Sequence, residues 1–329
     1  MDKQQVLKNI TLFKALSEAE LTELSSFIKT IKFSANTRFI HQGKPGEGMF
    51  VIKKGKVQVN VRLPGNSENK IAVLEETNFV GEVALIEGGP TVASVISLSE
   101  TECYFLSCEV FHALQICKPL LTHKIMVAIN QEVCARLRQI NDEIAGNLID
   151  VNKAIAKSAK PKLSKSIPAS VASLKAVGIN TDFLMTLGIF KHFKAHEVAE
   201  LLSYMQIRQA NKGDLIFKEG DNTDNFYLVA QGAVQVVLAK KNKLAKLSVN
   251  GPGNICGQLS YIDNKVGTAT GIAREDVVLL EIKQTNISRL KHNNSELFYK
   301  WYAAISQPFV SMLRTALKDL TRLATHADH

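Results

Sequence analysis

The spacing of apolar residues changes along this chain several times, and the changes come twice in the same order. Leu16, Leu21, Leu24 and Ile28 recur at helical spacing behind Ser17, a residue type that caps helix starts. From Arg38 to Val61, apolar and polar positions alternate in short runs punctuated by Gly43, Gly46, Gly48 and Gly55. That pattern predicts short strands joined by tight turns, hence a small barrel or jelly roll. Residues Glu102 to Leu114 predict a closing strand that runs into a helix. Ile129, Val133, Leu137, Ile140, Ile144, Leu148, Val151 and Ile155 then form one stripe with a period of ~3.67 residues. They predict a helix from about Leu120 to Lys157, on the order of 55 Å long. One small barrel cannot cover so long a stripe. It is expected to pack against the same stripe of a second subunit, giving a homodimer, or beneath the second half of the chain folded back. Phe298, Tyr302, Ile305, Phe309, Leu313, Leu317 and Leu320 predict a second amphipathic helix with Trp301 beside it, kinked or divided at Pro308.

The two halves align residue on residue. Phe13 falls on Phe190, Glu23 on Glu200, Gly43 on Gly220, Gly55 on Gly232 and Val57 on Val234, all at one shift of 177 positions. Gly81 falls on Gly257 at 176, so one residue is absent between these points in the second copy. The chain therefore reads as a duplicated domain. The expected fold class is mainly β with α: two jelly-roll barrels, each flanked by helices, with a long helix following the first. The expected boundaries are 1–156 for the first domain with its long helix, 157–180 for a linker, and 181–329 for the second domain with its C-terminal helices. The linker reading rests on "KSAKPKLSKSIPAS", which is small, basic and broken by proline.

Composition narrows the function classes. With 46% apolar and 22% charged residues, the chain can bury proper cores and is not of the disordered class. The formal charge of +9 admits an anionic partner, although lysines scattered over a solvated face also account for it. Five cysteines without a CxxC pair argue against a disulfide framework or a zinc site and fit a reducing cytoplasm. No apolar run reaches the ~20 residues of a membrane span, and the first residues show no apolar signal core, so a cytoplasmic location is expected. His192 and His196 stand at ligand spacing without a third ligand, so no metal is expected. No Ser-His-Asp order, paired carboxylates or phosphate-cradling glycine loop stands out, and no catalytic residue is assigned.

The candidate chemistry lies in "NFVGEVALIEGGPTVASV", Asn78 to Val95. Together with "IFKEGDNTDNFYLVAQGAVQV" (Ile216 to Val236) and the order helix, glycine-rich jelly roll, Gly-Glu turn, long helix, it resembles the cyclic nucleotide-binding domain family. The resemblance covers nearly the whole chain. It implies a phosphate-binding cassette of the form Phe-Gly-Glu-x-Ala-Leu, a bend, then Arg-x-Ala-x-Val. In binding members the Glu accepts from the ribose 2′-hydroxyl and the Arg pairs with the cyclic phosphate. The first copy matches at Gly81, Glu82, Ala84, Leu85 and Ala93, but Thr91 stands where Arg belongs. The second keeps Gly257, with Gln258 for Glu, Ser260 and Tyr261 for Ala-Leu, and Gly267 for Arg.

Loss of a charge-assisted bidentate pair costs on the order of 2–5 kcal/mol, which weakens binding roughly 30- to several-thousand-fold. Lys53, Lys54 and Lys265 are the candidate replacement cations, although lysine lacks the fork geometry. Glu82 has a second reading, as a carboxylate that merely caps its own turn. Gly81 and Gly257 have one too, as residues a positive-φ turn requires. The expectation is a non-enzymatic regulatory or sensor protein. Its first domain would bind a cyclic nucleotide or related small anion weakly, and its second would not. The alternative is a ligand-independent scaffold in which both degenerate domains and the long helices dock a protein partner. Neither a DNA-reading helix-turn-helix after the long helix nor an Arg-Arg-x-Ser/Ala kinase-inhibitor segment is present, so DNA is not an expected partner.

Overall fold

The computed structural model describes residues 3–62, 68–146, 161–221, 224–240 and 243–327. The chain divides into two compact units. One comprises Met1–Val133 with Val310–His329, the other Cys134–Phe309. Each is an antiparallel two-sheet jelly roll flanked by helices, which is the mainly β fold with helices that the alternation implied.

In the first unit a Ser17-capped helix, Glu18–Phe27, precedes the strands, and its Glu20 closes a reciprocal capping box. The strands are β1 (Lys29–Phe33), β2 (Arg38–Ile40), β3 (Gly48–Lys54), β4 (Val57–Arg62), β5 (Glu68–Leu74), β6 (Phe79–Val80), β7 (Ser94–Ser97) and β8 (Thr101–Ser107). They form sheets of order β1-β8-β3-β6 and β2-β7-β4-β5. The core joins both sheets: Ile52, Val80 and Cys103 meet Ile40, Val57 and Val95. Between the sheets Phe33, Phe39, Phe50 and Phe105 stack in one cluster, with successive ring centroids 4.2, 5.2 and 4.6 Å apart.

The second unit repeats this plan as β10 (Met205–Ala210), β11 (Leu215–Phe217), β12 (Asn225–Gln231), β13 (Val234–Lys240), β14 (Lys243–Asn250), β15 (Ile255–Cys256), β16 (Thr270–Ala273) and β17 (Val277–Lys283). An additional strand, β9 (Ile167–Pro168), extends one sheet to the order β15-β12-β17-β10-β9. That strand lies within the stretch 157–180 expected as a linker. Lys162 N–H donates to the Leu215 carbonyl at 2.7 Å and Ser164 N–H to the Gln209 carbonyl at 2.9 Å, so the basic stretch is held along β10 and β11. A helix, Val171–Ala176, follows it behind a Ser170 cap. The start of the expected linker, 157–160, lies outside the described residues.

Two long helices connect these parts. The first spans Pro119–Gly146; the stretch beyond, with Leu148, Val151 and Ile155, lies outside the described residues. Its stripe at Ile129, Val133, Leu137, Ile140 and Ile144 is at most 6% exposed within the single chain. The other helix runs unbroken over Ser295–Ala327 with Pro308 inside it. It is not divided there, and Phe309 and Leu313 on its apolar stripe, with Trp301 beside it, are buried. Burial at about 1.5–3 kcal/mol per large apolar side chain outweighs the one backbone hydrogen bond that a proline deletes. Among the described residues no helix is long and apolar enough to cross a membrane.

Candidate functional site

In the first unit the cassette begins at Gly81, whose φ of +90° lies in the left-handed region. A Cβ there would also collide with the Gly48 carbonyl oxygen at the start of β3. Only glycine meets both demands. The chain then turns directly into the short helix Glu82–Glu87, which buries Glu82, Val83, Ala84, Leu85 and Ile86. Gly257, at φ +80°, leads the matching helix Gln258–Asp263 and buries Gln258 and Ser260. Tyr261, at the Leu85 position, packs its ring on Phe226 at 4.8 Å.

Backbone hydrogen bonds identify Thr91 and Gly267 as the same structural position. Thr91 N–H donates to the Lys44 carbonyl and its own carbonyl accepts from Gly43 N–H, at 2.8 and 3.0 Å. Gly267 N–H donates to Asp221 and Gly267 accepts from Gly220, at 3.0 and 2.8 Å. These are the partners the repeat alignment pairs, so the family's arginine slot occupies one place in each roll. Its contents differ from an arginine in opposite ways. The Thr91 hydroxyl donates to the His41 and Lys44 carbonyls at 2.5 and 3.3 Å and ties the bend to the β2–β3 loop. Gly267 offers no side chain. It leaves room, since a Cβ there would meet its first neighbours at 3.4–3.5 Å.

Gly46 brings the parts of the first cassette together. A Cβ on it would clash with the Ala84 methyl and approach Thr91 Cγ2 to 3.3 Å. The Cys108 thiol reaches the carbonyls of Gly46 and Ala84 at 3.6 and 3.4 Å from the far side. Ala93, 7% exposed, leads from the bend into β7. The β2–β3 loop therefore closes onto Glu82–Glu87 with no side chain between.

None of the lysines expected to replace the missing cation is placed for it. Lys53 forms an ion pair with Glu102 across β3 and β8 at 2.8 Å, and that bond raises its pKa. Lys54 and Lys265 are exposed. Among the described residues, arginines from the long helices touch the cassettes, and the sequence reading did not single them out. In the first unit Arg314 Nη1 donates to the Pro90 carbonyl at 2.8 Å and Nη2 to Glu87 Oε2 at 3.0 Å. In the second, Arg138 grips Asp263 bidentately, Nε to Oδ2 at 2.6 Å and Nη2 to Oδ1 at 2.8 Å, and Nη1 reaches the Val266 carbonyl at 3.0 Å. Burial disfavours the charge on Asp263, but the Arg138 hydrogen bonds outweigh it and hold its pKa below the ordinary 3.8. Next to this pair the Cys134 thiol donates to the Leu259 carbonyl at 3.6 Å, and burial pushes its pKa up to about 12.

The interiors of the two rolls also differ. Where the first has Phe50 and Phe105, the second has Tyr227 and Glu281 as a cross-strand pair. Glu281 is 4% exposed, accepts from Asn225 Nδ2 at 2.6 Å and lies 4.0 Å from Arg208 Nε. A buried carboxylate in the second roll thus replaces an aromatic stack in the first.

Two jelly rolls with a glycine-led turn and an arginine slot at equivalent places define a protein made from two copies of one module. The chain belongs to the cyclic nucleotide-binding domain family: the family model matches residues 30–115 and again 207–294, more than half of the chain. A cAMP-dependent protein kinase regulatory subunit of Candida albicans is 21% identical over 284 residues, 86% of this chain and 48% of that protein. A CRP-like cAMP-activated global transcriptional regulator of Mycobacterium tuberculosis is 20% identical over 154 residues, 46% of this chain and 67% of that protein. The chain spans about half the length of the Candida regulatory subunit. Among solved structures, a cyclic nucleotide-binding domain from Methylobacillus flagellatus is 22% identical, with a TM-score of 0.42 over 48% of this chain and 86% of that one.

Proposed function

We propose that this protein is a non-catalytic regulatory module in which the first cassette takes a ribose-bearing cyclic nucleotide or related small anion weakly, and the second takes none. The observation that carries this reading is the asymmetry at two equivalent positions. Glu82 stands buried behind the left-handed Gly81, where a carboxylate accepts from a sugar hydroxyl, and Gln258 occupies that place in the second roll. Thr91 spends its hydroxyl on the His41 and Lys44 carbonyls, so the first site can read the sugar without a guanidinium for the phosphate. Such a site discriminates little between a cyclic nucleotide and the parent nucleoside. A missing charge-assisted pair of 2–5 kcal/mol sets the affinity at about millimolar rather than micromolar.

The family membership of both rolls and the likeness to kinase regulatory subunits support a regulatory role, with protein partners reached through surfaces outside the cassettes. The test is thermal melting of the full chain against cAMP, cGMP, adenosine and guanosine at millimolar concentrations. A ligand that prefers the folded state must raise the melting temperature. Glu82→Ala should abolish the shift and Gln258→Ala should leave it unchanged. Equal loss from both, or a shift that neither variant affects, would sink the asymmetric-site reading. No shift with any of the four would favour a ligand-independent scaffold.

A further inference from the structure

Arg138 and Arg314 occupy the same position in the two repeats, separated by the 176 residues that also separate Gly81 from Gly257. Their partners obey the same shift. Glu87 corresponds to Asp263, the last residue of each short helix, and Pro90 corresponds to Val266, the residue before each arginine slot. The connections are nevertheless exchanged. Arg138 lies on the helix that leaves the first jelly roll, yet it belongs to the second unit and binds the second cassette. Arg314 lies on the helix that leaves the second jelly roll, yet it belongs to the first unit and binds the first cassette.

We infer that Arg138 and Arg314 are positioning residues forming a reciprocal pair of latches, each holding one cassette from the helix that follows the other roll. Each latch joins the two ends of a bend. The guanidinium ties the carboxylate that ends the short helix to the carbonyl next to the arginine slot, so it fixes the slot's approach to the helix. A planar fork with several donors suits that task and a lysine does not. Both arginine side chains are largely covered, at 18% exposed for Arg314 and 14% for Arg138, so solvent screens these bonds less than surface pairs. The Pro119–Gly146 helix is continuous from the end of the first roll to Arg138. A movement of the second cassette therefore pulls on the helix that leaves the first roll, and Arg314 provides the converse path. Neither latch involves a ligand atom.

Hydrogen–deuterium exchange on the full chain tests it. Arg314→Ala should speed exchange of the 84–91 amides by about 10-fold or more, the scale of one lost charge-assisted bond, and spare 260–267. Arg138→Ala should do the reverse. The charge-reversed pair Arg138→Asp with Asp263→Arg should return protection at 260–267, which a merely space-filling role would not do. Where an alanine variant loses its fold, the lysine variants carry the same test, loosening the same segment by a smaller factor. The inference is overturned if Arg138→Ala loosens 84–91 instead of 260–267, if neither cassette responds, or if even the lysine variants lose protection uniformly along the chain.

Discussion

Thr91→Arg places the family's missing cation in a slot whose backbone bonds are intact. The change has a cost and a gain that separate experimentally. The Thr91 hydroxyl carries one hydrogen shared between the His41 and Lys44 carbonyls, so its removal forfeits about one hydrogen bond, net ~1 kcal/mol. For a unit of about 150 residues that lowers the melting temperature by roughly 2–4 °C. The backbone bonds of Thr91 to Gly43 and Lys44 do not involve the side chain and remain. An arginine that reaches a bound cyclic phosphate forms a bidentate, charge-assisted pair and should tighten cAMP by about 10-fold or more. Isothermal calorimetry on the full chain measures the second effect and thermal melting without ligand the first. Adenosine, which has no phosphate, should gain nothing. A lower melting temperature with no change in cAMP affinity would refute the reasoning, because the slot would then be intact but facing no anion site. An equal gain for adenosine would refute it as well, by showing that the arginine does not act on charge.

Gly46→Ala should destabilise the first unit by about 1–3 kcal/mol in urea, since its Cβ would collide with the Ala84 methyl, and a change under about 0.5 kcal/mol would show that the loop gives way freely. Asp263 has a folded-state pKa below its ordinary 3.8, so its pair with Arg138 stabilises fully above that value and fades as pH falls through the lowered one. Asp263→Asn should therefore lower the melting temperature at neutral pH, with the gap to the parent closing in acid below 3.8; a gap independent of pH would contradict this. Leu137→Glu with Ile144→Glu puts charges at sites 2% and 4% exposed within one chain and should cost several kcal/mol, unfolding part of the protein. Light scattering that finds twice 36.2 kDa for the parent, and a halved mass with intact circular dichroism for the variant, would instead return the dimer.

The repeat and the fold were legible because their signals are local: glycines at fixed offsets, alternation in runs of a few residues, one Ser cap. The stripe from Ile129 to Ile144 was legible as buried, but its period could not say by what, since a second subunit and the same chain present similar apolar surfaces. The contacts of the basic stretch after Lys157 were not legible for a related reason. Its composition is that of a solvated linker, while the pairing of Ile167 and Pro168 with Ile207 and Gln206 and the bonds of Lys162 and Ser164 to Leu215 and Gln209 are non-local. The arginines were not legible because each lies more than 100 residues from the cassette it touches, 125 for Arg138 and Asp263 and 227 for Arg314 and Glu87. The available signal was the 176-residue shift applied to the long helices, which sets Arg138 over Arg314 just as it sets Gly81 over Gly257. That coincidence separates two tasks a guanidinium can perform in this fold. An arginine inside the slot, as in the family's binding members, pairs with a ligand's phosphate. An arginine from a helix grips the bend itself and orders it whether or not a phosphate arrives. With Thr91 and Gly267 in the slots and Arg314 and Arg138 on the bends, the described residues show the second arrangement. If the two latches act as inferred, the helices, rather than a bound phosphate, set each cassette's shape.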